Sequence, residues 1–127
     1  MLSPIPRKIL RDTLTLSVPS GFDRYQQPLT PTEYVVNNVH LQNDNRTRKT
    51  TDNTEVELSG CIYIDARLST PALDYEALQR ATQAAGGVMT CTITNRRGGV
   101  SGPFTVLVID GLPDDEDNLH HWEIGVV

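Results

Sequence analysis

Short stretches in which polar and apolar residues alternate recur along this chain, and that period of two constrains its fold more than any other feature. Thr13-Leu14-Thr15-Leu16-Ser17-Val18 is one clear case, and the closing run from His120 to Val127 is another. Successive side chains on a strand point to opposite faces, so such runs bury one face and wet the other. In the closing run this places Trp122, Ile124 and Val126 inside and His121, Glu123 and Gly125 outside.

Further strands follow from the same pattern. Tyr34 to Leu41 puts Val35, Asn37, Val39 and Leu41 on one face and Tyr34, Val36, Asn38 and His40 on the other, with Asn37-Asn38 marking a bulge. Val56 to Ala66 aligns Val56, Leu58, Gly60, Ile62 and Ile64, while Cys61 and Tyr63 share the opposite face, so its middle is expected to be covered on both sides. Val88 to Thr94 and Phe104 to Ile109 complete the set. Pro19-Ser20-Gly21, Arg96-Arg97-Gly98-Gly99, Gly102-Pro103 and Asp110-Gly111 supply turn chemistry between them.

One helix is expected, around 75–85. Asp74 can cap it, Leu73 before the cap can pack on Leu78, and Gly86-Gly87 stops it. Ala77, Leu78, Ala81 and Ala84 form its buried stripe. The economical architecture is therefore mainly β: a small β-barrel or sandwich of about six strands with one short helix, spanning 1–127 as a single domain.

Two segments stand outside that core. Pro4, Pro6, Arg7 and Lys8 belong to an extended N-terminal arm over 1–11, because prolines are excluded from helices and paired central strands. Residues 42–54 read QNDNRTRKTTDNT, a long polar loop with nothing to bury. Loops of that length are usually functional or disordered. Asn43, Asp44, Asn45, Arg46, Thr47, Arg48 and Lys49 are thus a candidate protein-interaction loop, and Pro4, Pro6, Arg7 and Lys8 a candidate docking arm.

Composition narrows the function classes. With only 6% aromatic residues, the core must be built from Val, Ile and Leu. A net charge of −5 argues against a general nucleic-acid binder. Apolar runs are too short to span a bilayer, and Met1-Leu2-Ser3-Pro4-Ile5-Pro6 lacks the layout of a signal peptide, so a protein made and kept in the cytoplasm is expected. Cys61 and Cys91 are isolated in apolar runs and read as buried reduced thiols.

No catalytic constellation emerges, and an enzyme is not expected. There is no G-x-S-x-G elbow, no P-loop and no G-x-G-x-x-G. His120-His121 lies beside Asp114-Asp115-Glu116-Asp117, but adjacent strand residues point to opposite faces, so no metal site is expected there. No cofactor is implied.

Three stretches resemble the minor capsid protein family found in the structural modules of tailed phages of Gram-positive bacteria. The first runs from Pro4-Ile5-Pro6-Arg7-Lys8 through Thr15-Leu16; the second is Ile62-Tyr63-Ile64-Asp65-Ala66 followed by Ser69-Thr70-Pro71; the third is Leu119-His120-His121-Trp122-Glu123-Ile124. Their order and spacing carry the likeness, which covers nearly the whole length. It implies a head-completion or stopper-type protein of the virion neck, assembled in the bacterial cytoplasm. Such a subunit forms a ring between the portal or adaptor and the tail, closes the DNA exit channel and receives a tail-completion protein. Phage DNA would pass the lumen without specific binding, helped by the acidic balance. Two other classes stay open: an oligonucleotide-binding β-barrel, and a small hydrolase whose site is assembled by tertiary contacts.

Overall fold

A computed structural model describes residues 9–19, 21, 24, 25, 27, 29–49, 55–113 and 118–127, with backbone alone at 44–49 and 56. Six antiparallel strands close into a barrel in the order β1-β2-β3-β6-β5-β4. In chain order these are β1 (Asp12–Val18), β2 (Thr32–Lys49), β3 (Glu55–Asp65), helix α1 (Tyr75–Ala84), β4 (Thr90–Thr94), β5 (Val100–Pro113) and β6 (Leu119–Val126). No helix of the described residues is long and apolar enough to cross a membrane.

Alternation builds the core as the sequence predicts in β1, β3 and β6. Leu14, Leu16, Val18, Ile62, Ile64, Trp122, Ile124 and Val126 are all buried in one cluster. In β2 the expected bulge at Asn37-Asn38 is present. The register moves from Leu14↔Val36 to Asp12↔Val39, one extra residue on β2, and Asn38 takes a left-handed φ of 61°. That residue switches parity, so Val36 and Val39, which simple alternation put on opposite faces, both point inward at 0% exposure.

Three expectations are corrected. Gly102-Pro103 is not a turn between strands but a bulge within β5: the pairing steps from Cys91↔Phe104 to Ile93↔Ser101, and Gly102 has a φ of 111°. A bulge tolerates a proline because the extra residue leaves the ladder. The loop expected from Asp110 begins later, since β5 continues to Pro113 against β6. The long polar loop over 42–54 is largely strand, with Gln42↔Cys61 through Lys49↔Glu55 paired; residues 50–54 lie outside the described set.

Helix α1 has the expected cap, with Asp74 Oδ1 accepting from the Ala77 amide at 3.1 Å. Leu73 and Leu78, the two ends of the expected staple, both pack against the core. The buried stripe differs, however. Ala81 and Ala84 are exposed, and the inward face carries Tyr75, Leu78 and Thr82. Tyr75 stands edge-on to Trp122, with centroids 5.4 Å apart. A large aromatic at the first helical position buries more apolar area than the alanines and sets the helix rotation.

Burial has a titration consequence. Cys61 and Cys91 are free and buried. Desolvation pushes the Cys91 thiol from 9.0 to about 12, and the Tyr75 hydroxyl upward from 10.0. Each group stays neutral in the fold where it would ionise in the unfolded chain, so the folded state is penalised as pH rises. These two groups should make stability fall above about pH 9, as measured by urea unfolding across pH. Tyr75→Phe should flatten the part of that decline above pH 10; an unchanged slope in the variant would contradict the assignment.

Candidate interaction surface

Asp65 ends β3 at 1% exposure. Its Oδ1 accepts from the amides of Arg67 at 2.8 Å and Leu68 at 2.9 Å, which starts a turn. The Ser69 hydroxyl accepts from the Asp65 amide at 3.0 Å and donates to the Asn38 carbonyl. Asn38 Nδ2 in turn donates to the Leu68 carbonyl at 3.0 Å. Backbone bonds of 2.8 and 3.2 Å between Asn37 and Thr70 finish the junction. The bulge in β2 and the turn after β3 are thus one locked unit. Asp65 and Ser69 are its pins, Ala66 donates its amide to the His120 carbonyl at 3.1 Å, and Pro71 lines a small cavity of about 50 Å³ with Tyr75 and Trp122.

The closing segment contradicts the argument that its two histidines diverge. His120 Nδ1 and His121 Nδ1 approach to 2.8 Å, one ring donating and the other accepting. The cause is a further bulge: Leu112 pairs with His121 and Pro113 with Leu119, which leaves His120 as the extra residue. Consecutive side chains need not alternate there. His121 Nε2 also lies 3.1 Å from Glu123 Oε2. Tyr63 stands between His40 and His121, with ring centroids 6.2 and 6.3 Å away, so three rings cross β2, β3 and β6 on one face. Among the described residues no group of three or more His, Cys, Asp or Glu is placed to hold a metal ion. Trp122, by contrast, is a core residue.

The segment from Asn43 to Lys49 forms the most distinctive feature. β1 pairs with β2 no further than Asp12↔Val39, and the Asp12 carboxylate then accepts from the Leu41 amide at 3.0 Å. β6 pairs with β3 no further than Gly60↔Val126. Beyond those points 46–49 and 55–58 pair only with each other among the described residues, in the register Arg46↔Leu58, Thr47↔Glu57, Arg48↔Val56 and Lys49↔Glu55. The result is a two-stranded ribbon of about 14 Å at roughly 3.4 Å per residue. At its root Leu58 is 3% exposed. It lies over Gly125, where a Cβ would come within 2.5 Å of its Cδ1, so a side chain added there would have to displace Leu58.

An apolar cleft of about 190 Å³ between the end of β1 and the helix is lined by Pro19, Leu29, Pro31, Gly87 and Val88. The candidate docking arm, Pro4, Pro6, Arg7 and Lys8, lies outside the described residues. Two features escaped sequence reasoning: the His120–His121 contact and the seat of Leu58 on Gly125. A glycine inside an alternating run was the available signal for the second. No family model, no curated protein and no solved structure matches the chain.

Ser69→Ala removes a buried hydroxyl serving two backbone groups and should cost about 1–3 kcal/mol in urea unfolding. Arg80→Ala, which loses only an exposed 3.9 Å pair with Glu76, should cost less than about 1 kcal/mol. Equal costs would show that the junction is not locked. Gly125→Ala should destabilise by about 1–3 kcal/mol through overpacking, and Leu58→Ala should relieve part of that cost in the double variant. Strict additivity of the two substitutions would refute the seating.

Proposed function

We propose that this protein is a structural neck component of a tailed phage, of the head-completion or stopper type. In this reading it assembles as a ring between portal or adaptor and tail, closes the DNA exit channel and offers the tail-completion protein its docking surface. The observation that carries the reading is the ribbon. A barrel that satisfies its own strand edges extends a pair of strands beside which no further strand lies among the described residues, an arrangement suited to protein contacts rather than to small-molecule chemistry. Support also comes from the three sequence stretches that resemble the phage family. In the middle one, Asp65 and Ser69 fix the turn from which the helix departs.

Filled heads prepared without the protein should leak DNA and fail to join tails, and adding the purified chain should restore both. DNA retention and normal tail joining in its absence would overturn the proposal.

A second reading, an oligonucleotide-binding barrel, draws on the row His40, Tyr63 and His121, since stacked rings can serve as base platforms. Against it stand six strands where that barrel has five, and the net charge of −5. A gel shift with single-stranded DNA at low salt separates the two. Binding lost in Tyr63→Ala would favour the second reading.

A further inference from the structure

The contact between His120 and His121 constrains where protons can sit. Two ring nitrogens 2.8 Å apart hold one hydrogen between them, because one must donate and the other accept. His121 Nε2 lies 3.1 Å from Glu123 Oε2, and an ionised carboxylate only accepts, so that nitrogen carries a hydrogen. In neutral His121 the Nδ1 atom is then bare and accepts the Nδ1 hydrogen of His120. One added proton is accommodated, because with either ring charged the gap still holds a single hydrogen. A second is not. Both rings are then imidazolium, both Nδ1 atoms carry hydrogen, and two like charges face each other with centroids 5.0 Å apart. His120 is also the extra residue of the bulge, and its carbonyl receives the Ala66 amide at 3.1 Å beside the Asp65–Ser69 turn. The ring contact and the carbonyl bond hold the same residue, so losing the first loosens the second.

We propose that His120 and His121 form a pH-sensitive latch on the start of β6, closed with one hydrogen between the rings and opened when both rings are charged. Opening swings His120 away, since His121 stays held by Glu123, and weakens the Ala66 bond that ties β6 to the turn after β3. The open state binds one more proton than the closed state, so acid favours opening and closure returns as pH rises. Other titratable groups face the pair. Glu123 is on β6 and Asp65 pairs with His121 from β3, while Tyr63 on β3 stands between His121 and His40 of β2. Asp110 on β5 pairs with Glu123, and Cys61 Sγ on β3 lies 3.9 Å from Glu123 Oε1. Asp114 to Asp117 precede β6 and lie outside the described residues. Carboxylates also gain protons in acid, so a decisive variant has to leave all of them in place. The latch belongs to the isolated chain and is independent of any role in a virion neck.

The test is an NMR titration of the isotope-labelled full chain from about pH 8 to about pH 4.5, a range that spans the charging of imidazole. Its comparison is His120→Asn. The asparagine amide offers a nitrogen, or when flipped an oxygen, where Nδ1 stood, so it meets either form of His121 and does not titrate. In wild type, coupling across the Nδ1–Nδ1 hydrogen bond should be present at neutral pH and vanish as the second ring becomes charged. Hydrogen-exchange protection of the Ala66 amide should fall in step, by up to about tenfold per pH unit, the limit for one extra proton. In His120→Asn that protection should change by less than about twofold over the same range, since no further proton is linked to opening. Every carboxylate is kept in the variant, so a loss caused by one of them appears equally in both chains. Should the variant fail to fold, the coupling in wild type decides alone. No coupling at any pH, coupling that survives with both rings charged, or equal loss of Ala66 protection in the variant would each overturn the proposal.

Discussion

Barrel closure is the constraint from which the remaining features follow. β1 and β4 have seven and five residues, and they meet along a seam from Thr13↔Thr94 to Ser17↔Thr90. That seam sets the height of the wall on one side. β2, at 18 residues, and β3, at 11, are too long for it. Their surplus leaves the barrel together, because backbone amides and carbonyls that lose a neighbour on one side can still satisfy each other on the other. The ribbon is thus a geometrical consequence of unequal strands. Leu58 on Gly125 is the packing contact that ties it to β6.

A small barrel must also bend its strands, and here single extra residues do so. The register shifts at Asn37-Asn38, within 43–46, at Gly102-Pro103, between Val106 and Val108, and at His120. Two of these shifts keep apolar side chains inside across the change of register: Val36 and Val39 both point in, and so do Val106 and Ile109. The bulge at Asn38 is held by the Asp65–Ser69 turn. The bulge at His120 sits where the His120 carbonyl receives the Ala66 amide. Curvature and the junction after β3 are therefore one device, which explains why polar residues as buried as Asp65 and Ser69 occur in a chain with a modest core.

The sequence was most legible where one face is buried and the other wet. β1, β3 and β6 follow from Leu14-Leu16-Val18, Ile62-Ile64 and Trp122-Ile124-Val126 alone. The asparagine pair revealed its bulge, because asparagine tolerates left-handed backbone. Legibility failed where alternation carries no apolar signal. Asn43 to Lys49 is polar on both faces, so nothing in its pattern separates strand from loop; only pairing with β3 makes it a strand. It failed again where a count of small residues outweighed one large one, as in α1. The convergence of His120 and His121 was hidden for a third reason: a bulge cancels the alternation that the argument assumed.

The ribbon also changes how the charge of this chain should be weighed. A net −5 describes a surface averaged over the whole molecule, and on that average the segment from Asn43 to Lys49 is merely a cluster of solvated charge. Strand pairing sorts it. Arg46, Arg48 and Lys49 fall on one strand and Glu55 and Glu57 on the other, so the ribbon is nearly balanced yet divided along its length. Division of this kind contributes little to the stability of a lone subunit, where exposed pairs are worth a fraction of a kcal/mol each. Its effect appears only when a second surface approaches, because it then distinguishes one edge from the other.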